Sequence, residues 1–276
     1  MQLPVTSPRH VHIDDAASFA RTTPEVIRHY HRIGLLPEPG SGTGQQRPYG
    51  YEDVLRLLWI GRMADAGVST DHIRDVFADQ APSGPESSSP LVQRLRTPEG
   101  RLGLLSDLVS NRLKSLPAGS LRQADLDILL VTEQIFGPLG AAVQAGRFIL
   151  LATHPDLQEE SNRVDAAEAA LDDTVAVDDP RVAQAAADRH AIEQALDSAF
   201  EDSGLAQGED QLFEAWDALH PDEASNDAAQ DSGAAQDSGA VPGSMSVAEA
   251  VAKMPYDFSP ARQRCMELVL ELAARE

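Results

Sequence analysis

Apolar side chains recur at intervals of three or four residues along most of this chain, which is the spacing of amphipathic α-helices. In the first 80 residues this pattern predicts four helices, near residues 14–20, 24–33, 51–66 and 69–79. Thr23, Pro24 and Glu25 make a strong helix start, because they supply a hydroxyl cap, a proline in the first turn and an adjacent acid. Gly34 and Gly67 are expected to end the second and third helices.

Residues 37–50 separate the second and third helices and are too rich in glycine and proline to form a helix, so they predict a hairpin-like excursion. The order is therefore helix, tight turn, helix, wing, helix, helix. This order predicts a winged helix-turn-helix domain over residues 10–80. Such a domain places its second helix in the major groove of DNA.

The middle of the chain begins with a stretch rich in proline, serine and glycine, which predicts a linker over residues 81–97. Residues 98–117 then carry apolar side chains at intervals of three and four, which predicts an amphipathic helix of about five turns. We interpret it as a dimerisation helix that packs through Leu102, Leu105, Val109, Leu113 and Leu116. The alternative is that this helix belongs to the core of its own chain.

The rest of the chain is predicted to be almost entirely helical over residues 120–220. The expected helices are 121–136, 138–153, 155–171, 181–202 and 209–219. Residues 221–244 contain a tandem AAQDSG repeat and predict a disordered acidic linker. Residues 245–276 should hold a C-terminal helix that begins at Ser259-Pro260, with an apolar face of Met266, Val269, Leu270 and Ala273. The predicted fold class is mainly α, with the winged domain and dimerisation helix followed by this helical region.

Charge is distributed unevenly along the chain. The formal net charge is −22, of which −2 falls on residues 1–80 and −20 on residues 81–276. A net charge of −2 is low for a DNA-binding domain, which usually has a clearly basic surface. An alternative function is therefore a protein-interaction module, in which the helix-turn-helix binds a protein partner such as an RNA polymerase component.

Other classes of protein are disfavoured by what the sequence lacks. Cys265 is the single cysteine, so it cannot form an intramolecular disulfide or a multi-thiolate metal site, and the histidines are scattered. We expect no metal and no cofactor. The sequence carries no catalytic motif and no apolar run of about 18 residues, so we expect neither an enzyme nor a membrane protein. With no signal peptide at the N-terminus, a cytoplasmic location is expected.

Candidate DNA contacts cluster on the second helix, the wing and the third helix. The second helix carries arginine and histidine side chains in succession over residues 28–32. Arg28 and Arg32 are neighbours one turn apart, whereas Tyr30 should lie partly in the core. The predicted DNA-binding residues are Thr23, Glu25, Arg28, His29, Arg32, Arg47, Tyr49 and Arg62. For Glu25, stabilisation of the helix dipole is an equally good interpretation.

Residues 13–79 resemble the DNA-binding domain of the MerR family of transcriptional regulators. The resemblance rests on Thr23, Arg28-His29-Tyr30, Gly34-Leu35-Leu36, Arg47-Pro48-Tyr49, Asp53 and Arg56-Leu57. It implies that Arg28 and His29 contact the DNA backbone and that Arg47 and Tyr49 make wing contacts. His29 stands where the family usually has tyrosine, which puts that contact in doubt.

The resemblance also implies how the whole protein would act. A homodimer would bind double-stranded promoter DNA and distort an over-long spacer so that RNA polymerase can engage both promoter elements. Residues 120–276 would then bind a signal, which could be a small molecule or a protein effector. Because the sequence offers no thiolate cluster, we expect that signal not to be a metal.

Overall fold

A computed structural model of the protein describes residues 8–37, 49–78, 89–219, 245–256 and 258–275. Thirteen helices lie within these ranges. They are α1 (Ile13–Phe19), α2 (Pro24–Arg32), α3 (Tyr51–Asp65), α4 (Thr70–Phe77), α5 (Pro90–Leu95), α6 (Pro98–Leu102), α7 (Asp107–Leu113), α8 (Gln123–Thr153), α9 (Pro155–Ala169), α10 (Pro180–Asp202), α11 (Leu205–Leu219), α12 (Val247–Lys253) and α13 (Pro260–Ala273). The mainly α fold class is confirmed.

The four N-terminal helices match the sequence prediction, including their local signals. The Thr23 hydroxyl accepts a hydrogen bond from the Val26 amide at 3.4 Å, which caps the start of α2. Gly34 follows α2 with a φ of 73°, a backbone conformation that glycine adopts without a steric penalty. An antiparallel bridge joins Val11 to Tyr49 on either side of the helix-turn-helix. The predicted wing lies mostly at 38–48, outside the described residues.

One hydrophobic core runs from the N-terminal domain into the helices that follow it. Buried side chains of the first four helices and of the turn after α2 include Ala16, Ala17, Phe19, Ile27, Leu35, Leu36, Val54, Leu58, Trp59, Met63, Ile73 and Val76. The same core continues through Leu126, Leu129 and Leu130 of α8 and closes with Ala250 and Met254 near α12. The N-terminal domain therefore does not bury its apolar surface alone.

The prediction of a single dimerisation helix over residues 98–117 is wrong. The chain forms two short helices there, α6 and α7, separated by a turn at residues 103–106. Three of the proposed dimer contacts, Leu105, Val109 and Leu113, are 5% exposed or less, within the core of their own chain. The two others, Leu102 and Leu116, are half-buried against the same core. The apolar spacing therefore reflects packing within one chain.

The linker prediction for residues 81–97 also needs correction, since its second half is ordered. Ser89 caps α5, whose Val92 and Leu95 are buried. The Arg96 side chain donates hydrogen bonds to the carbonyl oxygens of Asp75 and Ala78 and so ties this segment to α4. Residues 81–88 lie outside the described residues.

Helix α8 joins two helices that the sequence analysis predicted separately. Gly137 interrupts it with a φ of 75°, and Pro138 follows, which breaks the helix at the predicted position. By length and composition, α8 is the one helix in the described part of the chain that could cross a membrane. In this structure it packs against α7, α9 and α10 as a core helix.

Two polar contacts attach α3 to the first half of α8. The Trp59 indole N–H donates to Asp127 Oδ1 at 2.7 Å, and the Arg62 guanidinium pairs with Glu133 Oε1 at 2.6 Å. Glu133 is buried, and its other oxygen accepts a hydrogen bond from the Ser106 amide at 3.1 Å. Both Glu133 oxygens are therefore satisfied, as a buried carboxylate requires.

The C-terminal helices pack around α10. Arg189 on α10 pairs with Glu168 and Asp165 on α9 at 2.8 and 2.7 Å. Helix α13 packs on α10 through buried Ala261 and Cys265. Of the apolar face predicted for this helix, Val269 is half-buried against this core, whereas Met266 and Leu270 are 47% and 70% exposed and Ala273 is also exposed. Helix α12 was not predicted, and the predicted linker 221–244 lies outside the described residues.

We predict that Val109→Asp destabilises the folded chain and does not separate a dimer. Val109 is fully buried in the core, so an unpaired carboxylate there should lower the free energy of unfolding by roughly 3 kcal/mol. Urea denaturation measures the loss, and Leu270→Asp, at a 70% exposed position, is the matched control with little expected effect. A Val109→Asp chain of parental stability that runs as a monomer, from a dimeric parent, would restore the dimer-helix interpretation.

We also predict that Glu133→Gln weakens the attachment of α3 to α8. The substitution removes the charge that Arg62 faces, and we expect a loss of about 2 kcal/mol because Arg62 is 30% exposed and water relieves part of the cost. A double-mutant cycle with Arg62→Met, measured by urea denaturation, isolates the pair. Exposed Glu214→Gln serves as the control. A coupling energy near zero would show that the pair does not hold the helices together.

Candidate nucleic-acid interface

Helix α2 turns one face to the core and the other to solvent. Ile27 is fully buried beneath it, and Tyr30 is half-buried against the same core, as the sequence analysis expected. The solvent-facing side presents the predicted contact residues, all of them exposed: Thr23, Glu25, Arg28, His29 and Arg32. The structure therefore brings five of the eight predicted DNA-binding residues together on one helix.

An acid and a base are paired near the start of this face. Arg28 Nη1 lies 3.3 Å from Glu25 Oε1, with both side chains largely exposed. Hydrogen bonds from its own backbone amide and from Thr23 lower the pKa of Glu25, with a smaller contribution from the charge of Arg28. Glu25 is thus a carboxylate at neutral pH, and it offsets part of the positive charge of Arg28.

The C-terminal end of α2 is held by two arginines that the sequence analysis did not assign to the site. Arg74 on α4 donates to the Ile33 carbonyl oxygen from Nε and Nη2 at 3.1 and 2.8 Å. Arg56 on α3 donates to the Leu35 carbonyl oxygen at 2.9 Å. Cations at a helix C-terminus satisfy its last carbonyls and interact favourably with its dipole. No local sequence signal links these arginines to a helix 21 to 41 residues away.

His31 connects α2 to the segment that leaves the predicted wing. Its Nε2 lies 2.9 Å from the Tyr49 hydroxyl, and its Nδ1 lies 3.2 Å from the Leu36 carbonyl oxygen. Tyr49 is only 3% exposed, so its ring belongs to the core. A wing contact by the Tyr49 ring is inconsistent with this placement. His31 and Tyr49 instead position α2 relative to the wing.

Arg62 and Arg47 complete the predicted set. The Arg62 guanidinium is directed to α8, where it pairs with buried Glu133 at 2.6 Å, so its DNA contact stays a prediction. Arg47 lies outside the described residues, so its wing contact also stays a prediction. Among the predicted DNA-binding residues that the structure describes, the exposed cationic side chains are therefore those of α2.

Two helices joined by a tight turn, with cationic side chains exposed on the second, define a helix-turn-helix domain of the DNA-binding class. Residues 11–80 match the family model described as "MerR HTH family regulatory protein". The N-terminal part of the chain is therefore similar to the helix-turn-helix domain of MerR-type regulators, which confirms the resemblance seen in the sequence.

Relatives of known name match a limited part of the chain. A mercuric resistance operon regulatory protein of Serratia marcescens is 39% identical over 61 residues, 22% of this chain and 42% of the relative. The HTH-type transcriptional regulator HmrR of Sinorhizobium medicae (strain WSM419) is 24% identical over 101 residues, 36% of this chain and 69% of the relative. A mercuric resistance operon regulatory protein of Bacillus cereus is 36% identical over 61 residues, 22% of this chain and 46% of the relative.

The chain thus spans about half the length of the curated relatives that it matches, and most of its own length lies outside the alignments. No solved structure matches the chain. The family model covers only the N-terminal domain, and each of these relatives covers at most 36% of the chain.

We predict that Arg74→Met loosens the C-terminal end of α2. The variant loses two hydrogen bonds to the Ile33 carbonyl oxygen, and we expect a decrease of about 1 to 2 kcal/mol in the free energy of unfolding. Asp71→Asn is the matched control, because it removes only the exposed ion pair with Arg74 and should cost less than about 0.5 kcal/mol. Equal stability of the two variants in urea denaturation would contradict this assignment.

Proposed function

We propose that the protein is a DNA-binding transcriptional regulator that recognises promoter DNA with α2. The observation that carries this proposal is the exposed Thr23, Arg28, His29 and Arg32 face of α2 within a MerR-type domain. Side chains near the start of a recognition helix reach base edges, and neighbouring cations reach phosphates. Double-stranded DNA is therefore the partner that this face fits best.

The electrostatic part of the affinity should be modest. Glu25 pairs with Arg28, Arg62 is directed to α8, and residues 1–80 carry a net charge of −2. Few phosphates are then neutralised by each domain, so the affinity should fall less steeply with salt than that of a strongly basic regulator. Base contacts and DNA deformation would supply a correspondingly larger share of specificity.

The regulator is proposed to act in the cytoplasm as a homodimer on a two-fold related site. Two recognition helices would then contact two half-sites and distort the spacer between promoter elements, so that RNA polymerase engages both. Elastic costs of several kcal/mol for such a distortion can be offset by the larger protein surface that bent DNA touches. Because Leu105, Val109 and Leu113 are internal to one chain, the dimer contact must use another surface.

The signal is proposed to be received by residues 120–276 and not to be a metal ion. The relatives from Serratia marcescens and Bacillus cereus are named for mercuric resistance, so a non-metal signal would distinguish this protein from them. Cys265 is the single cysteine, it is buried, and burial raises the pKa of its thiol, which disfavours the thiolate that binds soft metals. In the described part of the chain, no three His, Cys, Asp or Glu side chains are grouped for metal binding.

The test is DNA binding by Arg28→Ala. Truncation should weaken binding to a fragment of the upstream region by about ten-fold, or ~1.4 kcal/mol, because a phosphate or base contact is lost. Fluorescence anisotropy with full-length protein gives the affinity, and Arg47→Ala is measured in parallel. Arg275→Ala, exposed at the far end of the chain, is the control.

Parental affinity in both the Arg28 and Arg47 variants, where the parent binds specifically, would show that other residues contact the DNA. If the parent fails to bind the fragment but binds RNA polymerase, the helix-turn-helix is a protein-interaction module and the proposed function is wrong.

A further inference from the structure

A cavity of about 660 Å³ lies where three distant parts of the chain meet. Tyr51 and Glu52 at the start of α3 form one wall, and Asp127 and Ile128 of α8 form the second. The third wall comes from the C-terminal segment around Tyr256 and Arg262, and the segment at Arg9 also lines this space. Its volume is in the range of cavities that hold small organic molecules.

Two of the four acidic and arginine side chains that line this cavity have partners in the surrounding structure. Arg9 makes a two-pronged ion pair with Asp173, at 2.9 and 3.2 Å. Asp127 Oδ1 accepts hydrogen bonds from the Trp59 indole and the Gln123 amide, both at 2.7 Å. These contacts hold Arg9 and Asp127 in place as part of the cavity wall.

Two side chains of opposite charge remain. Within the part of the chain that the structure describes, the Glu52 carboxylate makes no hydrogen bond or ion pair. Partial burial raises the pKa of Glu52, and the nearby acids Asp127 and Asp53 raise it further. The Arg262 guanidinium likewise pairs with no described carboxylate and lies 4.9 Å from the ring centroid of Phe258. One negative and one positive group thus face the cavity unpaired.

An aromatic column forms the wall beside Arg262. The rings of Tyr51 and Tyr256 lie 5.4 Å apart, and Tyr256 stacks on Phe258 at 5.1 Å with an interplanar angle of 11°. Burial raises the pKa of both tyrosines, so their hydroxyls are neutral hydrogen-bond donors. Aromatic walls of this kind bind a flat apolar group with good shape complementarity.

We propose that this cavity binds a small aromatic molecule that carries both an ammonium and a carboxylate group, as a free aromatic amino acid does. Glu52 pairs with the ammonium group, Arg262 forms hydrogen bonds with the carboxylate, and the aromatic column packs against the ring. A ligand of a single charge would satisfy one of the two unpaired groups and leave the other without a partner.

The location of the cavity gives binding a direct route to the DNA-binding domain. Gly50 and Tyr51 follow the segment that His31 and Tyr49 tie to α2, and the ligand would join this segment to α8 and α13. Describing the ligand as a regulatory signal rests on the proposed function. The binding site itself rests on the cavity alone.

Calorimetric titration of the full-length protein in the absence of DNA tests the site with three probes of matched size. L-phenylalanine carries both charges, 2-phenylethylamine only the positive one, and 3-phenylpropanoate only the negative one. We expect phenylalanine to bind at least about ten-fold more tightly than either of the others.

Variants assign the two charged contacts. Glu52→Gln should lower the affinity for phenylalanine by about ten-fold. The affinity for 3-phenylpropanoate should not change, because that probe has no ammonium group. Arg262→Gln should lower the affinity for phenylalanine by a similar factor and leave the affinity for 2-phenylethylamine unchanged. Glu214→Gln and Arg275→Gln, both at exposed positions, are the matched controls. Circular dichroism of each variant checks that it remains folded.

The proposal is overturned if no probe binds at millimolar concentration, or if a singly charged probe binds as tightly as phenylalanine. It is also overturned if the two cavity variants behave like their controls. Because these titrations contain no DNA, failure of the site is distinguishable from failure of the regulator. If the parent protein binds phenylalanine but not promoter DNA, the proposed binding site is supported and the proposed function is wrong.

Discussion

The ion pair between Arg62 and Glu133 determines how the N-terminal domain is attached to the rest of the chain. It lies between α3 and α8, with Glu133 buried and each of its oxygens bonded. Separating a buried carboxylate from its partners is costly, so the two helices are held in one arrangement. The Trp59 to Asp127 hydrogen bond lies on the same pair of helices and adds a second point of attachment. The same two helices contribute to the continuous core and to two walls of the cavity, so their arrangement also fixes these features.

A second constraint acts inside the N-terminal domain, where polar groups hold the C-terminal end of α2 in place. Arg56, Arg74 and His31 each bond to backbone or side-chain groups at the C-terminal end of this helix or just beyond it. The exposed face can therefore carry few cations and still present them in a fixed geometry. Preorganised side chains lose less conformational entropy on binding, which partly compensates for a modest charge.

Much of the fold was predictable because its signals are local. The cap at Thr23, the left-handed Gly34 and the break at Gly137 each depend on a few neighbouring residues, and the helices around them follow. The error at 98–117 has a physical cause, because intervals of three and four fit two short helices folded into a core as well as one long helix. The ion pair of Arg62 could not be predicted, because Glu133 lies 71 residues further along the chain. The cavity could not be foreseen for the same reason, since folding brings its walls together from opposite ends of the sequence.

The sharing of one core by the N-terminal domain and α8 has a consequence for how the protein divides into parts. The boundary suggested by composition falls near residue 80, yet the core continues past it to Leu126, Leu129 and Leu130. The domain boundary predicted from composition is therefore not the boundary of the hydrophobic core. A fragment cut at residue 80 would expose the indole of Trp59, which contacts Asp127 of α8 and Arg101 of α6. The smallest unit that retains its buried surface includes the first half of α8, and evolutionary recombination would have to carry that half-helix along with the helix-turn-helix domain.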